Sequence, residues 1–70
     1  MDEIKLLDVV ALIEDLPGEN LHRGEVGAIV EMLAPQVYEV EFCDREGRTY
    51  AMLPLKQNQL MKLRYRDAAA

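Results

Sequence analysis

His22 and Cys43 each occur once in this chain. An imidazole and a thiol are the side chains best suited to proton transfer, nucleophilic attack or metal binding near neutral pH. Neither has the company such chemistry needs. A general acid or base requires a partner within hydrogen-bond reach and a pocket, whereas His22 stands in a polar stretch beside Arg23. A reactive cysteine requires a base or cationic surroundings. Cys43 has Asp44 after it and Glu41 two residues before it, with Arg45 giving weak relief. One Cys and one His cannot assemble a zinc site. A single Cys cannot close an intrachain disulfide, which fits a reducing compartment and leaves only a bridge between two chains.

The carboxylates Glu31, Glu39 and Glu41 are spaced to share one outer face across neighbouring strands. Paired carboxylates can hold calcium or magnesium, but these lack the clustered loop spacing of such sites and read as a solvated acidic face. Gly24-x-x-Gly27 lacks the Lys-Ser/Thr and the following helix of a phosphate-binding loop. A polyproline groove needs an aromatic lining. Here Tyr38 and Tyr65 fall on expected core positions, tryptophan is absent, and only Tyr50 is unassigned. The expectation is a chain without catalytic residues, metal or cofactor.

The elements that position these residues come from turn chemistry and alternation. In Leu21–Glu31 two glycines three apart lead into an apolar run, which suits a tight turn entering a sharply bent strand of a small barrel. Five short apolar runs are separated by turn signals. Asp8–Glu14 reads as a strand because it is β-branched and stops at Leu16-Pro17-Gly18. Pro17-Gly18 suits the corners of a type II turn within a long polar loop, residues 14–25. The second run, Val26 to Leu33, ends at Ala34-Pro35-Gln36, and Gly27 marks a candidate bulge. The third alternates Tyr38, Val40 and Phe42 inward with Glu39, Glu41 and Cys43 outward. Asp44-Arg45-Glu46-Gly47 suits a hairpin loop with Gly47 at positive φ. The fourth run, Thr49 to Leu53, is expected to halt at Pro54. Lys56–Gln59 suits one 3₁₀ turn. The fifth run alternates Met61, Leu63 and Tyr65 inward with Lys62, Arg64 and Arg66 outward. The expected fold is all-β: a single five-stranded SH3-like barrel over residues 1–66, with one short 3₁₀ turn before the last strand. Residues 67–70 form a frayed tail. Tyr38, Val40, Phe42, Leu53, Leu63 and Ile29 are the expected core.

Length and charge bound the function. A chain of 70 residues forms one small domain, with a core contributing roughly 3–5 kcal/mol of net stability. The apolar run Val9–Ile13 is too short for a signal-peptide core or a membrane span, so a cytoplasmic location is expected. Net charge is −5, and it is uneven: residues 1–41 carry ten acidic side chains against Lys5 and Arg23, whereas residues 42–70 carry six basic side chains against three acidic ones. A net acidic chain repels phosphate backbones at long range.

Three stretches form a recognisable series: Asp8-Val9-Val10-Ala11-Leu12-x-Glu14-Asp15-Leu16-Pro17, Arg23-Gly24-x-Val26-Gly27-x-Ile29-Val30-Glu31, and Tyr38-Glu39-Val40-Glu41-Phe42, followed by Gly47-Arg48-Thr49-Tyr50-Ala51. The series resembles a family of small bacterial proteins known as a domain of unknown function, over roughly Ile4 to Tyr65. That resemblance implies no catalytic residue. Arg23-Gly24-x-Val26-Gly27-x-Ile29-Val30 is more weakly similar to the KOW motif of ribosomal and transcription-factor domains. KOW domains that bind RNA usually add Lys and Arg around the glycines; here Glu19, Glu25 and Glu31 flank them. The expected function is a non-catalytic protein-interaction module, an antitoxin or immunity protein or a minor subunit of a larger complex. Its partner-binding residues would be Glu14, Asp15, Glu19, Glu39 and Glu41, its partner a basic protein, and its own state a monomer or weak homodimer. No membrane contact is expected. RNA binding through the KOW-like turn is the alternative.

Overall fold

A computed structural model describes residues 3–64 of the chain; Tyr65, Arg66, the 67–70 tail and residues 1–2 lie outside the described residues. The fold is all-β. Five strands, β1 (Val9–Leu12), β2 (Val26–Ala34), β3 (Val37–Cys43), β4 (Thr49–Lys56) and β5 (Leu60–Lys62), form one antiparallel sheet in the order β4-β3-β2-β1-β5. A long β1–β2 loop, a three-strand meander, and a last strand returning to β1 reproduce the expected SH3-like order. The barrel is not strictly closed, because β4 and β5 occupy the two ends of the strand order.

The core is what the β3 alternation dictates. Tyr38, Val40 and Phe42 are buried, and with Val10, Leu12, Ile29, Leu55 and Leu60 they fill the concave side. Ile4 and Leu21 join this core from outside the strands. Leu53 and Leu63 are half-buried, short of the full burial expected. The Asp44–Gly47 hairpin forms as its residue types require. Asp44 Oδ1 accepts the Glu46 and Arg48 N–H groups, both at 2.9 Å, and Gly47 takes φ 82°. Gly24 also has positive φ, 94°, at the turn into β2.

Five local expectations are corrected. Pro54 does not halt the fourth strand, since β4 is an edge strand running on to Lys56. On an edge, alternate N–H groups face away from the ladder, so a proline there removes an outward donor and no ladder bond. Gly27 is not a bulge; the register shifts lie between Ile29 and Glu31 and between Met32 and Ala34. Gly27 instead permits close approach: a Cβ there would meet the Glu41 carbonyl oxygen and Val40 Cγ1, both at 2.8 Å. Pro17-Gly18 belongs to a second 3₁₀ turn, Pro17–Glu19, in place of a type II turn, and Asn20 at φ 56° ends it. In β5 the alternation is inverted, with Leu60 buried, Met61 exposed and Lys62 half-buried. Lys62 Nζ turns in to meet Asp8 Oδ2 at 3.2 Å. Lastly, Glu39 and Glu41 face outward as expected but are half-buried, not fully exposed.

Candidate functional site

The β1–β2 loop is an ordered scaffold. Leu21 anchors it in the core, and Leu16 and Leu21 exchange backbone hydrogen bonds at its neck. Between them the Pro17–Glu19 turn lifts Glu19 into solvent. Asp15 Oδ1 accepts the Arg23 backbone N–H at 2.8 Å, which folds the loop's return limb back on its outgoing limb. Glu14 Oε2 accepts a hydrogen bond from Gln59 Nε2 at 3.1 Å, tying the loop to the 3₁₀ turn before β5, Gln57–Gln59. Of the three loop residues expected at the site, Glu14, Asp15 and Glu19, the first two therefore hold the loop's shape as well as carrying charge.

The other two expected site residues stand on the outward face of β3. The register sets Glu39 opposite Glu31 of β2 and Pro54 of β4, and sets Glu41 opposite Ala28 and Met52. Like charges opposed across an antiparallel pair repel, so Glu31 and Glu39 concentrate negative potential there. Glu41 Oε2 accepts a hydrogen bond from Thr49 Oγ1, which fixes its carboxylate. The expected site thus has two parts, a loop and a strand face.

Glu25 is a site residue that sequence pattern alone does not single out. Its Oε1 accepts from the Tyr50 hydroxyl at 2.7 Å, while Oε2 accepts from the His22 backbone N–H at 2.6 Å and lies 3.2 Å from His22 Nδ1. The Tyr50 hydrogen bond, with those of His22, holds the Glu25 carboxyl below its usual pKa. Burial first, then the Glu25 bond, pushes Tyr50 up to about 12. The trio pins the loop's end to the start of β4. The His22–Glu25 spacing of three, just before β2, was the available local signal; Tyr50 is 25 residues away and gave none. His22 is well exposed, its side chain at 72%. Cys43 is exposed on the β3 face, its Sγ 3.7 Å from Thr49 Oγ1.

Among the described residues no group of three or more His, Cys, Asp or Glu side chains could hold a metal ion, and no helix is long and apolar enough to cross a membrane. No curated protein and no solved structure matches the chain. A family model does match, over residues 6–62, which takes in all five strands and both 3₁₀ turns. The chain belongs to the family described as Domain of unknown function (DUF4926).

Proposed function

We propose that this domain is a non-catalytic protein-interaction module that binds a basic protein partner through its acidic surface. The contact residues are Glu14, Asp15 and Glu19 on the β1–β2 loop and Glu39 and Glu41 on β3. The observation that carries the reading is that three of these five carboxylates are held in place by hydrogen bonds. Asp15, Glu14 and Glu41 are held by hydrogen bonds, and the β3 register sets Glu39 on the same outward face as Glu41. Fixed surface charge steers a partner of opposite sign and raises the association rate. A role as an antitoxin or immunity protein for a basic toxin, or as a minor subunit of a larger complex, fits this chemistry.

The test is capture of the partner from the native cell, followed by stopped-flow association at several salt concentrations. The triple reversal Glu14→Lys, Asp15→Lys and Glu19→Lys slows association, and the effect fades as salt screens charges more than about 8–10 Å apart. Association unchanged across salt refutes the reading. A generic single-stranded RNA serves as the counter-probe, since an RNA-binding domain gains affinity from the same reversal.

A further inference from the structure

The outward face of the sheet carries a depression of about 240 Å³ lined by Val9, Val26, Gly27, Ala28, Glu41 and Cys43. It is below the range of about 300–1,000 Å³ usual for small-molecule sites. Its walls are aliphatic, Gly27 contributes no side chain, and the single ionisable oxygen pair is the Glu41 carboxylate, oriented by Thr49. Val26 remains 45% exposed and the adjoining Met52 50% exposed, so an apolar strip borders the depression.

We propose that this depression seats one lysine or arginine side chain of a protein partner. The aliphatic stem lies along Val9, Val26 and Ala28, and the charged head meets Glu41. Long basic side chains combine these two needs, an apolar stem and a cationic tip. Charge selects this occupant over a second copy of the chain. A copy docked face to face would oppose the Glu39 and Glu41 pairs, and like charges brought together are costly. The proposal rests on the basic-partner reading and names where one cation goes.

The test uses the full chain, ¹⁵N-labelled, with two probes: acetyl-Val-Arg-Val-amide and acetyl-Val-Gln-Val-amide. The arginine peptide should give saturable amide shifts at Val9, Ala28, Glu41 and Met52 and should slow iodoacetamide alkylation of Cys43, the single thiol. The glutamine peptide should bind about tenfold more weakly. Glu41→Gln keeps an acceptor for Thr49 and should cost the arginine peptide a similar factor. Val26→Lys, at an exposed position, should fill the depression with the chain's own cation and abolish binding without unfolding. Equal affinity for both peptides, or shifts confined to the β1–β2 loop, overturns the proposal. Concentration-dependent shifts at these residues without peptide also overturn it, in favour of a second copy seated through Arg45 or Arg48. Poly-L-lysine separates the two levels. If it binds with strong salt dependence while the tripeptides fail, the depression is wrong and the acidic surface stands. If it also fails at low salt, both fall.

Discussion

Replacing Gly27 by alanine tests how tightly β2 and β3 are packed. The added methyl carbon would sit 2.8 Å from the Glu41 carbonyl oxygen, 2.8 Å from Val40 Cγ1 and 3.0 Å from Phe42 Cδ1. The first is backbone in a ladder strand, and Val40 and Phe42 are fully buried, so none of the three can yield cheaply. Relief requires β2 to lift from β3 over the Gly27–Phe42 and Ala28–Glu41 pairs. Overpacking of a filled core typically costs about 1–3 kcal/mol. Alanine's ordinary advantage over glycine within a strand, roughly 0.5–1 kcal/mol, offsets part of this. With three contacts at 3.0 Å or less the overpacking cost lies in the upper part of its range, so the net loss is about 1–2 kcal/mol, which lowers Tm by roughly 4–16 °C in a domain of this size. Gly18→Ala is the control, since nothing lies within 4 Å of its Cβ position; it should fall within about 0.5 kcal/mol of the parent. Urea and thermal melts followed by far-ultraviolet circular dichroism measure both. If Gly27→Ala is as stable as Gly18→Ala, β2 and β3 are not in the close contact described.

Phe42→Ala removes the largest fully buried side chain and should cost about 3–5 kcal/mol, enough to abolish the cooperative urea transition of so small a domain. Gly47→Ala forces φ 82° on a residue with a Cβ, in open space, and should cost about 1–2 kcal/mol in the same assay. The Tyr50–Glu25 bond predicts two limbs of pH dependence. The Glu25 pKa is lowered from 4.5, so its contribution is complete above pH 4.5 and is lost as pH falls through the folded value. The Tyr50 pKa is raised from 10.0 to about 12, so its contribution is complete below pH 10 and is lost as pH rises towards 12. Melts of Tyr50→Phe against the parent should show a stability gap that is widest between these limits and narrows at both ends; a gap constant from acid to alkaline pH would refute this linkage.

Local chemistry made most of the fold legible. The period-two pattern of Tyr38, Val40 and Phe42 needs only a buried face, and the Asp44–Gly47 hairpin and Gln57–Gln59 turn are closed by their own residues. Apart from the local turn at Pro17-Gly18, the misreadings depend on distant partners. Whether Pro54 ends a strand depends on whether that strand is an edge. Whether Lys62 points outward depends on Asp8, on the other side of β1 in sequence. Gly27 looked like a bulge because its neighbours across β3 are invisible in sequence. Of the site, the alternation of β3 made Glu39 and Glu41 readable as outward, but their partial burial comes from β2 and β4. Glu25 was hidden because its strongest partner, Tyr50, belongs to another strand.

The proline in β4 has a consequence for how this domain behaves in a crowd. A sheet left open at both ends offers two seams along which another chain could be stitched. Here β5 is only three residues long, and the β4 seam is interrupted at Pro54, where the ring nitrogen has no hydrogen to give. An incoming strand would lose a rung midway and could not run in register along the whole border. The domain can therefore leave its barrel unsealed while both borders resist the long in-register pairing that a fibril requires.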